Sequence, residues 1–211
     1  MEMTEYEQFM NDGYLYAPQL IIDPSNLYCP PPKDEKGSLA YGTIGYKNGK
    51  EISVPVDEQV PTSLSRYSYP PFQHIHELVR KSLENILEMD LFPTYYFDRF
   101  YWKDSVLIRH VDRPACEISV SIQISSNTNP WPFCFKKPDG TETSVTMKDG
   151  DGVIYRGCDT EHWRDKLQSR YNKIQRAYLK YRKKDDDTYH HQIFFHFVNA
   201  QGNYVQHAFD R

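Results

Sequence analysis

The chain has 211 residues, of which 39% are hydrophobic, and a formal net charge of −4. A chain of this length can bury a core of its own, and it fits one domain better than two. The slightly negative charge argues against a nucleic-acid binder, because such proteins commonly carry a basic surface. The 17 tyrosines, 11 phenylalanines and 3 tryptophans favour β structure, because aromatic side chains suit a half-buried pleated surface.

We expect neither a membrane span nor a secretory signal in this sequence. No apolar run reaches 18 residues, and the start, MEMTEYEQFMNDG, is acidic and polar without an apolar stretch. The cysteines do not form a CxxC pair, which favours free thiols in a reducing compartment over disulfides or zinc. We therefore expect a cytoplasmic protein without a membrane or nucleic-acid partner.

The first 72 residues are rich in turns. The tract DPSNLYCPPPKDEKGS predicts a loop, and the Asn-Gly of KNGK predicts a hairpin between YGTIGY and EISVPV. We expect residues 1–72 to form an irregular extension with a hairpin that packs on the core. Residues 73–90 carry apolar side chains at helical spacing and predict the clearest helix, with His74 and His76 as surface or packing residues.

Beyond residue 95 the apolar pattern is that of short strands separated by glycine, aspartate and proline turns. This pattern is typical of a β-sandwich or barrel. A basic stretch, SRYNKIQRAYLKYRKKDDD, lies before the last strand and predicts a helical insertion at about residues 166–188. A solvated helix is its simplest interpretation, and a lid or docking element for an acidic partner is the alternative.

The stretch RHVDR at residues 109–113 contains a possible metal site. Side chains two apart on a strand share a face, so a strand over SVLIRHVD would present His110 and Asp112 together. His162 follows a later strand, VIY, and could supply a third ligand. Two histidines and one carboxylate on one face of an octahedron are diagnostic of non-heme Fe(II) oxygenases, although zinc would also accept these ligands.

Three stretches carry a resemblance to a known family: YWKDSVLIRHVDRP, GDGVIYRGCDTEHWRD and HQIFFHFVNAQG. Together they resemble the Fe(II)/2-oxoglutarate-dependent dioxygenases, especially the prolyl-4-hydroxylase-like members. The resemblance implies a mainly β fold with flanking helices, whose core over residues 73–211 is a double-stranded β-helix, also called a jelly-roll or cupin-like core. It also implies hydroxylation of a peptidyl prolyl or other amino-acid-like substrate by O₂, with release of succinate and CO₂.

The resemblance also implies cofactors and residues. Fe(II) would be the metal, 2-oxoglutarate the co-substrate and ascorbate an optional addition. His110, Asp112 and His162 match the family's iron ligands. Tyr101 matches the tyrosine that, in many relatives, hydrogen-bonds a carboxylate of 2-oxoglutarate.

One departure from the family concerns the residue that holds the far carboxylate of 2-oxoglutarate. Relatives place a basic residue at the start of the last strand, whereas this strand begins HHQIFF. Arg164 lies two residues after His162 and would share its inward face, and an arginine matches a carboxylate with two hydrogen bonds. The alternatives are His191 or Gln192 on the last strand and Arg170 in the insertion.

Two further choices stay open on sequence grounds. Arg164 could instead pair with Asp165 or Glu161 as an ordinary surface arginine, and His196 is better explained as a packed core histidine. The protein itself could be a jelly-roll that binds a metal or another ligand without oxygenase activity. The substrate class, peptide or small molecule, is not fixed by the sequence.

Overall fold

A computed structural model describes residues 3–209 as two facing β-sheets with helices on the outside. The strands are β1 (Tyr14–Ala17), β2 (Gly42–Lys47), β3 (Lys50–Ile52), β4 (Ser63–Tyr67), β5 (Leu91–Trp102), β6 (Leu107–His110), β7 (Ile118–Ser126), β8 (Phe133–Lys136), β9 (Glu142–Val145), β10 (Gly152–Arg156), β11 (His162–Arg164) and β12 (Tyr189–Asn199). The α-helices are α1 (Glu5–Asp12), α2 (Gln73–Leu87) and α3 (Lys173–Tyr181), and short 3₁₀ turns cover Pro24–Leu27, Pro70–Phe72, Pro114–Cys116 and Val205–His207.

The strand order is that of a jelly-roll. The large sheet runs β1-β10-β7-β12-β5-β4-β2-β3, and the small sheet runs β6-β11-β8-β9. From β5 onward the chain crosses back and forth between the two sheets, and every strand pair except β2–β4 is antiparallel. The mainly β, double-stranded β-helix core that the sequence predicts is confirmed.

The first 72 residues contribute more regular structure than their turn-rich sequence suggests. β1 pairs with β10 at one edge of the large sheet, and β4 extends the other edge beside β5. The predicted hairpin joins β2 to β3 through Asn48 and Gly49, which both have positive φ angles as a tight two-residue turn requires. These strands lengthen the sheet on either side of the barrel.

The two faces of the large sheet differ in polarity. On β7 the alternate residues Ile118, Val120, Ile122 and Ile124 join the core that α2 covers. The residues between them, which include Ser119 and Ser121, are buried on the face toward the small sheet. Burial of polar side chains is costly unless they find partners. The space between the sheets is therefore where a ligand site is expected.

The predicted helix at 73–90 is α2, which ends at Leu87 because Glu88 adopts a left-handed conformation. His76 packs inside against Phe195, with the two ring centroids 5.3 Å apart, whereas His74 is exposed. None of the described helices is long and apolar enough to cross a membrane.

Candidate active site

His110, Asp112 and His162 come together at one end of the space between the sheets. His110 is the last residue of β6, His162 is the first of β11, and the two pair directly across the small sheet. The Nε2 atom of His110 lies 3.5 Å from Oδ1 of Asp112, and the Nε2 atom of His162 lies 3.7 Å from the same oxygen. One potential ligand atom from each residue lies within 4.8 Å of the others, which is the separation that a single metal ion can bridge.

The strand argument for Asp112 is wrong in one detail. The strand ends at His110, and Asp112 lies in the segment that follows it. The Asp112 N–H donates to the Gly157 carbonyl at 2.8 Å, and this bond fixes the carboxylate beside the two imidazoles. A Cβ atom on Gly157 would lie 2.1 Å from the Cys116 carbonyl oxygen and 2.7 Å from Oδ2 of Asp112, so the close approach needs a glycine there.

Both histidines are oriented in the same way. Nδ1 of His110 lies 2.7 Å from the Ile108 carbonyl oxygen, and Nδ1 of His162 lies 2.8 Å from the Thr160 carbonyl oxygen. A carbonyl oxygen can only accept a hydrogen bond, so each Nδ1 is assigned as the N–H donor. The Nε2 lone pair of each ring then faces Asp112. Metal-binding histidines are commonly held by such a bond on the other ring nitrogen.

The protonation states also suit a metal. Burial lowers the pKa of His162 to about 4, so its imidazole is neutral at pH 7. Burial alone would raise the pKa of Asp112, but the contact with His110 and the nearby His162 outweigh it and the pKa is lowered. The site therefore offers an ionised carboxylate and a neutral imidazole, which are the forms that bind metal.

The second oxygen of Asp112 is held by a short chain of contacts. Ser119 Oγ donates to Oδ2 of Asp112 at 3.1 Å, and the same Oγ lies 2.9 Å from Nδ1 of His196. His196 is buried against the Tyr95 ring, as a packed core histidine would be, and it also lines the cavity. Ser119 and His196 therefore fix the rotation of the carboxylate.

A cavity of about 290 Å³ opens beside these ligands. Its walls are largely aromatic, and Tyr67, Tyr95 and Phe97 stack in succession along β4 and β5. Arg99 also lines it and was missed from sequence, although its position two residues before Tyr101 on one strand was a usable signal. Arg99 is buried and donates to Asp57, to Ser65 at 2.8 Å and to the Tyr101 hydroxyl at 3.4 Å.

Arg164 points inward from β11 and is 1% exposed. It has no ion pair with a described residue, so the alternative pairing with Asp165 or Glu161 is wrong among residues 3–209. Its Nη1 donates to the Trp131 carbonyl, while Nε and Nη2 have no hydrogen-bond partner. Burial lowers the pKa of Arg164 to about 10, because the charge lies in an apolar setting against the Trp131 and Phe133 rings.

Within residues 3–209, several other polar groups inside the barrel also have no hydrogen-bond partner. Both ring nitrogens of His190 and both amide atoms of Gln192 are buried without a hydrogen bond. Gln192 pairs directly with Arg99 and His190 with Tyr101 across β12 and β5, which puts their side chains on the inner face. His190 and Arg164 both pack against the Trp131 ring, and burial, followed by the charge of Arg164, lowers the pKa of His190.

The remaining candidates for a carboxylate clamp lie elsewhere. His191 faces the other side of the sheet, where its Nε2 lies 2.8 Å from Asp98 and its ring stacks on Phe100. Arg170 is engaged outside the barrel in an ion pair with Asp187 at 2.8 Å. Of the sequence candidates, Arg164, Gln192 and Tyr101 share the barrel interior.

The sequence matches no family model, and comparison with curated proteins found no similar one. Solved structures do match. A prolyl-4-hydroxylase from Pseudomonas putida aligns with a TM-score of 0.58 at 10% identity, over 92% of this chain and 96% of that one. A 2OG-Fe(II) oxygenase family oxidoreductase from Burkholderia pseudomallei aligns with a TM-score of 0.56 at 12% identity, over 92% and 88%.

A third match is HygX from Streptomyces hygroscopicus, crystallised with nickel and 2-oxoglutarate. It aligns with a TM-score of 0.57 at 12% identity, over 92% of this chain and 85% of that one. At such low identity the likeness establishes the fold: the chain has the jelly-roll of the solved 2OG-Fe(II) oxygenases. The resemblance noted in the sequence is thus confirmed at the level of the fold.

Proposed function

We propose that this protein is an Fe(II)- and 2-oxoglutarate-dependent dioxygenase that hydroxylates its substrate. The observation that carries the proposal is the convergence of His110, Asp112 and His162 at the end of a jelly-roll cavity. The two Nε2 atoms and a carboxylate oxygen face one another, and three ligands of this kind leave coordination positions open for a co-substrate and O₂.

Each of these three residues has a defined task. His110 and His162 would bind the metal through Nε2, and their Nδ1–H bonds to backbone carbonyls keep the rings in place. Asp112 would bind through Oδ1 while Ser119 holds Oδ2. Bound Fe(II) supplies the redox chemistry that couples decarboxylation of 2-oxoglutarate to hydroxylation, with release of succinate and CO₂.

We assign the unpartnered groups inside the barrel to the far carboxylate of 2-oxoglutarate. Nε and Nη2 of Arg164 form an unoccupied donor pair, and the Gln192 amide offers a further donor. A carboxylate satisfies two parallel N–H donors of one guanidinium. Such a ligand would provide the counter-charge that Arg164 lacks. The Tyr101 hydroxyl accepts from Arg99, and Tyr101 and Arg164 both contact the Trp131 ring.

The substrate would enter where the aromatic rings of Tyr67, Tyr95 and Phe97 line the cavity. Rings of this kind pack against cyclic or planar groups. The similar Pseudomonas putida protein is a prolyl-4-hydroxylase, and HygX was crystallised with hygromycin B. We therefore propose a peptidyl prolyl or other amino-acid-like substrate, with a small cyclic metabolite as the alternative.

The test is turnover of 2-oxoglutarate by the purified chain. With Fe(II) and O₂, with and without ascorbate, we expect slow succinate formation that increases with the correct member of a panel of proline-containing peptides, free amino acids and small cyclic metabolites. His162→Ala should abolish it and should weaken Ni²⁺ binding, measured by calorimetry. His74→Ala is the matched control, since His74 is an exposed histidine away from the cavity.

The outcomes separate the alternatives. Metal binding that depends on His162, without succinate or 2-oxoglutarate binding, would replace the proposal with a metal-binding jelly-roll that is not an oxygenase. Unchanged metal binding in both His110→Ala and His162→Ala would show that the three residues do not form a metal site.

A further inference from the structure

The helix α3 projects from the barrel with almost no contact to it. None of its residues is buried, and Leu179 alone is half-buried. Ile174, Tyr178 and Tyr181 recur at positions i, i+4 and i+7 and are 82%, 59% and 82% exposed. Residues at this spacing form one stripe along a helix, so α3 presents an apolar and aromatic face to solvent.

The base of this insertion is firmly built. Asn172 and Gln175 form a capping box that starts the helix. The three aspartates that follow the basic stretch are used at the base: Asp185 accepts from the Leu39 N–H, Asp186 accepts from Ser169 and Thr188, and Asp187 accepts from Arg170 and Tyr171. These carboxylates hold the base of the insertion and form no ion pair with the described basic residues of α3.

The basic side chains of α3 and of the three residues that follow it form no ion pair with any residue in the described range. None of six basic side chains forms an ion pair or a side-chain hydrogen bond with another residue in the described range 3–209, and residues 173–184 contain no acidic residue. Three of them, Lys173, Arg176 and Lys180, lie in α3, and the other three, Arg182, Lys183 and Lys184, directly follow it. On a chain whose net charge is −4, this is a strongly positive local surface.

The insertion lies at the end of the barrel away from the metal ligands. The Lys103 N–H donates to the Thr188 carbonyl and the Asp104 N–H to the Leu167 carbonyl, so its base is at the turn between β5 and β6. His110 is at the opposite end of β6.

We propose that α3 docks the protein on an anionic lipid surface. A helix with an aliphatic and aromatic stripe on one face and cations on its polar face and just after its end can insert the stripe among headgroups while the cations meet anionic lipid. Single-stranded nucleic acid would use the tyrosines and cations but would leave Ile174 in water. The sequence predicts no membrane partner because it lacks a spanning segment. Binding of α3 to the surface of a membrane does not require such a segment.

The experiment is co-sedimentation of the full chain with vesicles at low and physiological salt. We expect binding to phosphatidylcholine vesicles that contain phosphatidylserine, and little binding to pure phosphatidylcholine. Ile174→Asp should abolish it, and Lys183→Gln combined with Lys184→Gln should weaken it about thirtyfold, at about 1 kcal/mol for each lysine. Ile22→Asp is the matched control, because Ile22 is 91% exposed on another part of the chain and should not alter binding.

Three outcomes would overturn the proposal. They are equal binding to neutral and anionic vesicles, wild-type binding by Ile174→Asp, and displacement from vesicles by single-stranded RNA or an acidic peptide at equal charge concentration. All variants change exposed side chains, so circular dichroism and thermal unfolding should match the wild type, and a failure to bind is then specific.

Discussion

Two arginines lie inside the barrel, and their surroundings differ sharply. Arg99 is 2% exposed and donates to Asp57, Ser65 and Tyr101, so the protein itself supplies its counter-charge. Arg164 is 1% exposed and has one carbonyl partner and two unused donors. Burial of a charge therefore does not by itself indicate a ligand site, and it is the lack of a counter-charge among the described residues that supports the proposed role of Arg164.

The electrostatics separate the two residues in the same direction. Burial disfavours the charged form of both arginines, but Tyr101 and Asp57 more than compensate at Arg99 and its pKa is raised. At Arg164 burial prevails and the pKa is lowered to about 10. Arg164 remains a cation at neutral pH, so the unliganded fold carries a destabilising charge that an anionic ligand would neutralise.

The largest expected effect is on stability at Arg99. Arg99→Met removes the cation from a buried ion pair and leaves Asp57 without it, which should lower the free energy of unfolding by about 3–5 kcal/mol. Urea denaturation measures this. Asp57→Leu in the same chain should restore part of the loss, because the double variant leaves no uncompensated charge. Full stability of Arg99→Met would mean that the pair contributes little to the fold.

Arg164→Met should have the opposite profile. We expect 2-oxoglutarate affinity, measured by calorimetry on the Ni²⁺-loaded protein, to fall about 100-fold, because a buried carboxylate would lose its charged partner. Stability without ligand should stay the same or rise, since an unpaired buried charge is replaced by an apolar side chain. Unchanged 2-oxoglutarate affinity would refute the assignment of Arg164, and a loss in Arg99→Met instead would exchange the roles of the two arginines.

Much of this contrast could not be read from the sequence. The spacing of Arg164 to His162 predicts that Arg164 points inward. The candidate metal ligands are predicted by the His-x-Asp pattern of His110 and Asp112 and by the histidine that follows a later strand. The partner of Arg99, however, lies 42 positions earlier in an irregular segment, and no local pattern connects Asp57 to β5. The lack of an ion pair between Arg164 and any carboxylate of residues 3–209 likewise depends on the tertiary structure, because Asp165 and Glu161 are its neighbours in sequence.

The position of Asp112 shows the same limit. Strand alternation predicts that it lies beside His110, and it does, but a backbone bond to Gly157 holds it there after the strand has ended. His196 is a buried core histidine, as the sequence predicts. Its contact with Ser119 depends on β12 lying beside β7, which the sequence alone does not specify.

Beside the candidate metal ligands, as around Arg99, a side chain of the protein itself supplies the hydrogen bond: Ser119 donates to Asp112. Ser119→Ala removes the donor to Oδ2 of Asp112 and should weaken Ni²⁺ binding by about 10- to 100-fold. Affinity for 2-oxoglutarate at saturating metal should change little, because Ser119 is not part of the proposed carboxylate clamp. Ser126→Ala, in the same strand but hydrogen-bonded to the Tyr189 carbonyl, is the control. Equal metal affinity in the two variants would show that Asp112 needs no such support.

The smallest expected effect concerns Gln192, whose buried amide is one of several groups without a hydrogen-bond partner among the described residues. Gln192→Leu keeps the size of the side chain and removes one neutral hydrogen bond, so 2-oxoglutarate affinity should fall about fivefold. If Gln192 and Arg164 hold the same carboxylate, the double variant should lose less than the product of the single losses, because removal of Arg164 already frees that end of the ligand. If the two losses of affinity multiply in the double variant, Gln192 contacts a group other than the far carboxylate of 2-oxoglutarate, and Arg164 alone binds that carboxylate.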